Sequence, residues 1–320
     1  DDAGYAKAHE TAEQKYQAID RMVRAYPDQI ALATTADEVE EIAASRRLVA
    51  LIGIENAYPF GPSIEDVAGW ADRGARYASI THFGDNQFGG SSNPNADRGD
   101  TMEDEGLTEL GSELVEALND HGIMVDISHV GKQTGLEAMA LSRAPVIASH
   151  SGARAVYDHP RNLDDEQLEA IRDNDGVAQM VAFRSYVSDI DPAMAEATGA
   201  LRERLGLTSG AAFGAATPET LAEFSSEIRE LRATLPDVSL EQFVNHIDHA
   251  VAVAGIDHVG ISGDFDGGGG VQGWDDASQT LNVTWELLRR GYSEEDLQKL
   301  WSGNVLRVMR ANEAAASGAN

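Results

Sequence analysis

The chain has 320 residues, 42% of them hydrophobic, no cysteine and a formal net charge of −30. That length supports one large domain with a sizeable core, and the missing cysteines exclude disulfides and thiolate metal sites. With 54 acidic residues against 24 basic ones, the chain would repel nucleic-acid phosphate, and no run approaches the roughly 18 apolar residues of a membrane helix.

Four of the basic residues are lysine (Lys7, Lys15, Lys132, Lys299), a scarcity that fits either a salt-adapted or simply an acidic, soluble surface. The opening DDAGYAKAHE is polar and acidic and has no signal-peptide pattern. Cytoplasm and export both stay open, as does a homodimer.

In chain order, residues 4–26 read as a helix and 35–46 as a second, short one. Strand and helix signals then alternate. Apolar runs of strand length lie near 48–54, 76–82, 123–128, 144–149, 177–183 and 258–263, with helical stretches at 63–73, 106–121, 132–142, 164–174 and 240–254. Ser63 before Asp66, and Ser293 before Asp296, resemble helix-start caps. The alternation predicts a parallel sheet covered by helices.

Two regions break the rhythm. Residues 84–106 are rich in Gly, Asn, Asp and Ser and read as a long loop after a strand. Residues 186–240 hold polar helical sequence without a strand and read as an inserted helical pair, either a lid over the strand tips or a surface excursion.

Five apolar runs end on a residue that can bind a metal or move a proton: LVALIGIE at Glu55, YASITH at His82, MVDISH at His129, PVIASH at His150 and HVGISGD at Asp264. In a (β/α)8 barrel the C-terminal tips of the strands converge on one face, where the active site sits. His129 and His150 end consecutive strands and are the strongest ligand candidates. Glu55 closes an apolar strand, where a carboxylate calls for a cation or an arginine such as Arg76 or Arg161. Asp264 is placed to accept a proton from a metal-bound water and return it to a leaving amine. His82 is a ligand or an oxyanion donor. Arg161, on the loop after His150, could hold a substrate carboxylate with its planar fork. His246 and His249 lie on an outer helix, and His258 begins its strand at the wrong end, so none of the three reads as a ligand.

The motifs LIGIEN (51–56), YASITH (77–82), DISHVG (126–131), SRAPVIASHSGARAV (142–156), RNLDDEQL (161–168), the run from 246 to 267 and LWSGNVLRVM (300–309) together resemble the membrane (renal) dipeptidase family of zinc metallopeptidases and its bacterial relatives. The likeness runs from about residue 5 to residue 312. It implies a TIM-like barrel of the metal-dependent amidohydrolase type, one domain over 1–320 with the helical insertion at about 186–240, and hydrolysis of dipeptides bearing a free C-terminal carboxylate. It further implies two zinc ions bridged by Glu55, with His129 and His150 on one of them. His82 would contact substrate and steady the tetrahedral intermediate, Arg161 would bind the carboxylate, and Asp264 would shuttle the proton.

The family's second zinc also needs a His-x-Asp pair on the first barrel strand. The one His-x-Asp spelling here, His246 to Asp248, lies on a late helix and is not equivalent. With six strands countable, the expectation is a barrel whose first two strands lie outside this chain. The rival readings are a related amidohydrolase acting on a β-lactam or an N-acyl amino acid, and a catalytically impaired fragment or binding protein lacking one metal site.

Overall fold

The computed structural model describes residues 2–101 and 103–317. Its strands are β1 (Ile30–Leu32), β2 (Leu48–Ala50), β3 (Ile52–Ile54), β4 (Ala75–Ser79), β5 (Met124–Asp126), β6 (Ile147–Ala153), β7 (Asn162–Leu163), β8 (Val177–Val181) and β9 (Val259–Ser262). Six run parallel in the order β3-β4-β5-β6-β8-β9, with the short β7 paired to β6. These six are the six apolar runs expected, and each strand is followed by helical sequence that crosses back over the sheet. Among the described residues β3 and β9 end the path, and the strands do not close into a ring.

Three local details depart from the sequence pattern. The apolar run 48–54 is not one strand: its first half, β2, pairs with β1, and its second half, β3, pairs with β4. The break falls at Leu51, within uninterrupted apolar sequence, so hydropathy alone could not mark it. β1, at three residues, is too short to produce a period. The expected cap at Ser63 is not formed. That helix is Val67–Asp72, and the Ser63 hydroxyl only accepts from the Glu65 amide at 3.4 Å. Val67 and Trp70 of that helix are buried. At Ser293 the capping box with Asp296 forms as expected.

The strands present two faces. Ile52, Ile54, Ala78, Val125, Ala148 and Met180 belong to the main core, together with helix residues such as Leu114, Leu118, Leu168 and Val244. The opposite face begins apolar: Met124, Ile147 and Val177 pack with Leu306 and Met309 of the helix Asn304–Ser317, and Tyr77 lies against them. Two residues further toward the tips, the same face carries Asp126, Ser149 and Gln179. That face therefore turns from apolar to polar as it approaches the strand tips. Gly53 belongs to this design, because a Cβ there would lie 2.0 Å from the Tyr77 ring.

The stretch expected as an inserted helical pair holds no strand. Its main helices are Pro192–Leu205 and Pro218–Thr234, with the short helices Arg184–Val187 and Gly210–Ala215 beside them. Met194, Leu201 and Ile228 form a small core of their own, flanked by Phe224 and Leu231.

Candidate metal centre

The ends of β3 and β5 and the middle of β6, where its register shifts between Ala148 and Ser151, bring Glu55, His129 and His150 together. Glu55 Oε1 lies 3.2 Å from His129 Nε2 and 3.2 Å from His150 Nε2, and those two nitrogens are 2.8 Å apart. Within the described residues these three form a group whose ligand atoms all fall within 4.8 Å of one another. His82 Nε2 stands 3.6 Å from the same oxygen, and its ring centroid is 4.2 Å from that of His129. Arg76, one of the two arginines considered for Glu55, donates instead to the carbonyls of Thr34, Ala71 and Ala75.

The backbone at these tips is unusual. Five non-glycine residues among those described have positive φ, and three of them sit here: Asn56 (81°), His129 (68°) and Asp264 (48°). Asn, His and Asp tolerate this region better than most residues, but it still re-aims the chain at a cost. Each turn is secured by hydrogen bonds. The Asn56 amide donates to Ser79 Oγ at 2.7 Å, and its side-chain oxygen accepts from the Tyr58 amide at 3.0 Å and from Asn86 Nδ2 at 2.9 Å. The His129 carbonyl accepts from the Ser92 amide at 2.8 Å and from the hydroxyls of Thr81 and Ser91, each at 3.2 Å. The long loop after β4 thus holds the β5 tip in place. The Asp264 carbonyl accepts from the amides of Gly267 and Gly269. Gly269 is required, since a Cβ there would lie 2.0 Å from the Gly263 carbonyl oxygen.

Electrostatics at the site follow from crowding and burial. The close contacts with His129 and His150 hold the Glu55 carboxyl far below the usual carboxylate range. Burial pushes the His129 imidazole down to about 3, against the pull of Glu55, and burial lowers His82 as well. Neutral imidazoles are what a metal requires. Asp264 is pushed upward by burial and by Glu55, with His150 and Arg161 opposing. Its neighbour Asp266 is exposed.

Arg161 is 3% exposed. One of its terminal nitrogens donates to the His150 carbonyl at 2.9 Å, and its guanidinium carbon lies 5.2 Å from the centre of the Tyr186 ring. Its Nε is buried without a protein partner. The residue lines a cavity of about 180 Å³, shared with Ser91, Ser92 and Asn162.

Residues outside the sequence-derived set complete the surroundings. Asp126, 1% exposed, accepts from the amides of Ser128 and Ser149 and from the Ser149 hydroxyl, which in turn contacts His150 Nδ1 at 2.8 Å. A lone carboxylate inside the apolar run MVDISH was the signal for it. Tyr77 lies deeper, its phenol pushed up to about 12 by burial and by Asp126, Glu55 and Asp264. His246 is a satisfied core residue: Nδ1 accepts from the Ala153 amide at 2.9 Å, and Nε2 donates to the Val187 carbonyl at 3.0 Å. Asp248 is held by Arg290 and Tyr292. His249 pairs with Asp165 and His258 with the Gly176 carbonyl. The His246 to Asp248 segment is therefore spent on packing.

The donor set, two imidazole nitrogens and a carboxylate oxygen that converge on one point, fits a divalent first-row ion such as zinc. A family model, membrane dipeptidase (peptidase family M19), matches residues 1–320. The chain belongs to the M19 membrane dipeptidase family. Among solved structures, the probable dipeptidase PvdM from Pseudomonas aeruginosa superposes with a TM-score of 0.82 at 36% identity, covering 98% of this chain and 81% of that one. A metallo peptidase from Rhodobacter sphaeroides, liganded with a phosphinate mimic of the dipeptide L-Ala-D-Ala, gives 0.71 at 25% identity over 92% and 72% of the two chains. Dipeptidase tcpJ of Claviceps purpurea (strain 20.1) is 29% identical over 313 residues, which is 97% of this chain but 62% of tcpJ. This M19 chain thus spans under two thirds of that curated relative's length. None of its described helices is long and apolar enough to cross a membrane.

Proposed function

We propose that this M19 chain carries the catalytic face of a zinc-dependent dipeptidase, which cleaves the peptide bond of dipeptides with a free C-terminal carboxylate. The observation that carries this reading is the convergence of His129 Nε2 and His150 Nε2 on one oxygen of Glu55, at 3.2 Å each. His129, His150 and Glu55 would hold one zinc. All the short contacts of Glu55 to the histidines use Oε1, and a carboxylate has a second oxygen with which to bridge to a second ion. A second group of three converging donors is not found among the described residues.

When bound, zinc polarises a carbonyl and lowers the pKa of water. The chain's own residues would do the rest. Asp264, with its raised pKa, accepts the proton of the attacking water and delivers it to the departing amine. His82, kept neutral by burial, donates through Nε2 to the oxygen that gains charge. Arg161 takes the substrate carboxylate, for which its unpartnered Nε supplies a free donor. A buried guanidinium without an anionic partner is costly, and a carboxylate would relieve that cost.

The test is a substrate panel with zinc present: dipeptides, their C-terminal amides, N-acyl amino acids and a β-lactam. The reading predicts turnover of dipeptides and a loss of about 1.5–3 kcal/mol in apparent binding for the amides, the strength of a hydrogen bond to a charged group. Equal turnover of amides and free acids, or turnover of the acylated compounds alone, would contradict it.

A further inference from the structure

His129 and His150 present the same atom to Glu55, yet their far nitrogens differ. His129 Nδ1 is buried without a partner. His150 Nδ1 lies 2.8 Å from Ser149 Oγ, and Ser149 Oγ lies 2.6 Å from Asp126 Oδ2. The other oxygen of Asp126 accepts the backbone amides of Ser128 at 2.9 Å and Ser149 at 3.0 Å. Ser128 adds a further brace, its hydroxyl accepting from the His150 amide at 2.9 Å.

Counting protons along this chain gives it a direction. Burial pushes the Asp126 carboxyl up, but two backbone amides and the Ser149 hydroxyl converge on it as donors and favour the carboxylate, so the single hydroxyl proton of Ser149 points to Asp126. The Ser149 oxygen can then offer His150 only a lone pair, and Nδ1 must carry the ring proton. Nε2 is left bare, facing Glu55. We infer that Asp126, acting through Ser149, is a positioning residue that holds His150 in its Nδ1–H tautomer and so keeps Nε2 ready to bind metal. The inference rests on the reading of Glu55, His129 and His150 as the metal centre. It makes the two histidines unequal: His150 is preset by the protein, and His129 is not.

The same count predicts what Asp126→Asn does. The two backbone amides require the side-chain oxygen of the new Asn at the Oδ1 position. Its amide nitrogen then faces Ser149 and donates to it, which turns the Ser149 proton toward His150 Nδ1 and moves the ring proton to Nε2. Ser149→Ala removes the link altogether, whereas Ser149→Thr keeps a hydroxyl in place.

The experiment uses the full chain with ¹⁵N-labelled histidine at one fixed pH. Long-range ¹H–¹⁵N spectra of the metal-free protein read each tautomer, and competition with a chelator reads zinc affinity. The expected wild-type spectrum has His150 as Nδ1–H. Zinc affinity falls about 10- to 100-fold in Ser149→Ala and Asp126→Asn, the usual range for loss of an outer partner of a metal-binding histidine, and Ser149→Thr recovers most of it. Asp126→Asn moves His150 to Nε2–H, a change that a purely structural role for Asp126 would not produce. If Asp126→Asn does not fold, Ser149→Ala alone still decides the matter. A wild-type His150 found as Nε2–H, or Ser149→Ala binding zinc as tightly as wild type, overturns the inference alone. A wild-type chain that binds no zinc overturns the metal-centre reading and the inference with it.

Discussion

The tips of the central strands and the helical excursion between β8 and β9 follow opposite rules. The helices Pro192–Leu205 and Pro218–Thr234 obey local preference: each has Pro in its first turn and an Asp191 or Thr217 cap. Apolar residues meet in a small core, and charges such as Arg204 pair with Glu223 and Glu227 at the surface. At the strand tips those preferences are broken repeatedly. Non-glycine residues adopt positive φ, imidazoles crowd within hydrogen-bond distance of one another, and Arg161 is buried beside them. Such departures persist only where neighbouring structure enforces them, and they concentrate at functional sites. The difference separates a region built for stability from one built for chemistry, and substitutions in the two should fail in different ways.

The largest effect expected is at the ligands. His150→Ala should weaken zinc binding by more than about 100-fold, beyond the range for outer partners, and abolish peptide hydrolysis while leaving the far-ultraviolet circular dichroism unchanged. Asp264→Asn comes next: kcat should fall by about 10²- to 10⁴-fold with metal content intact, measured by steady-state kinetics beside elemental analysis. Full activity in that variant would remove Asp264 from its role. Arg161→Ala should raise KM for dipeptides by roughly 10- to 100-fold, the equivalent of a hydrogen bond to charge.

The excursion should respond in the reverse sense. Leu201→Ala empties part of its small core and should cost about 2–5 kcal/mol of local stability, read by hydrogen exchange over the two helices, with zinc affinity unmoved. Arg204→Ala should change stability by no more than about 1 kcal/mol, since its pairs are solvent-exposed. If Leu201→Ala abolished zinc binding, the separation of the two regions would be wrong.

The sequence made one layer of the site legible and hid the next. Glu55, His82, His129, His150 and Asp264 each stop an apolar run, and parallel strands deliver their ends to one face, so a linear pattern sufficed for them. Asp126 and Ser149 lie in the same two runs but meet only because β5 and β6 pair side by side, which joins positions 23 residues apart. No periodicity signals that contact. The left-handed turns at Asn56, His129 and Asp264 were hidden for a related reason: glycine advertises such a turn, whereas Asn, His and Asp do so weakly. The division of 48–54 into β2 and β3 depends on two different strand partners, Ile30–Leu32 and Ala75–Ser79, and not on any residue at the break.

Anomalous diffraction at the zinc edge, from crystals of the full chain grown with zinc, tests the central claim most directly. The account predicts a peak about 2.0–2.2 Å from His129 Nε2, His150 Nε2 and a Glu55 carboxylate oxygen. A zinc peak elsewhere on the molecule, with these three residues uncoordinated, would contradict it.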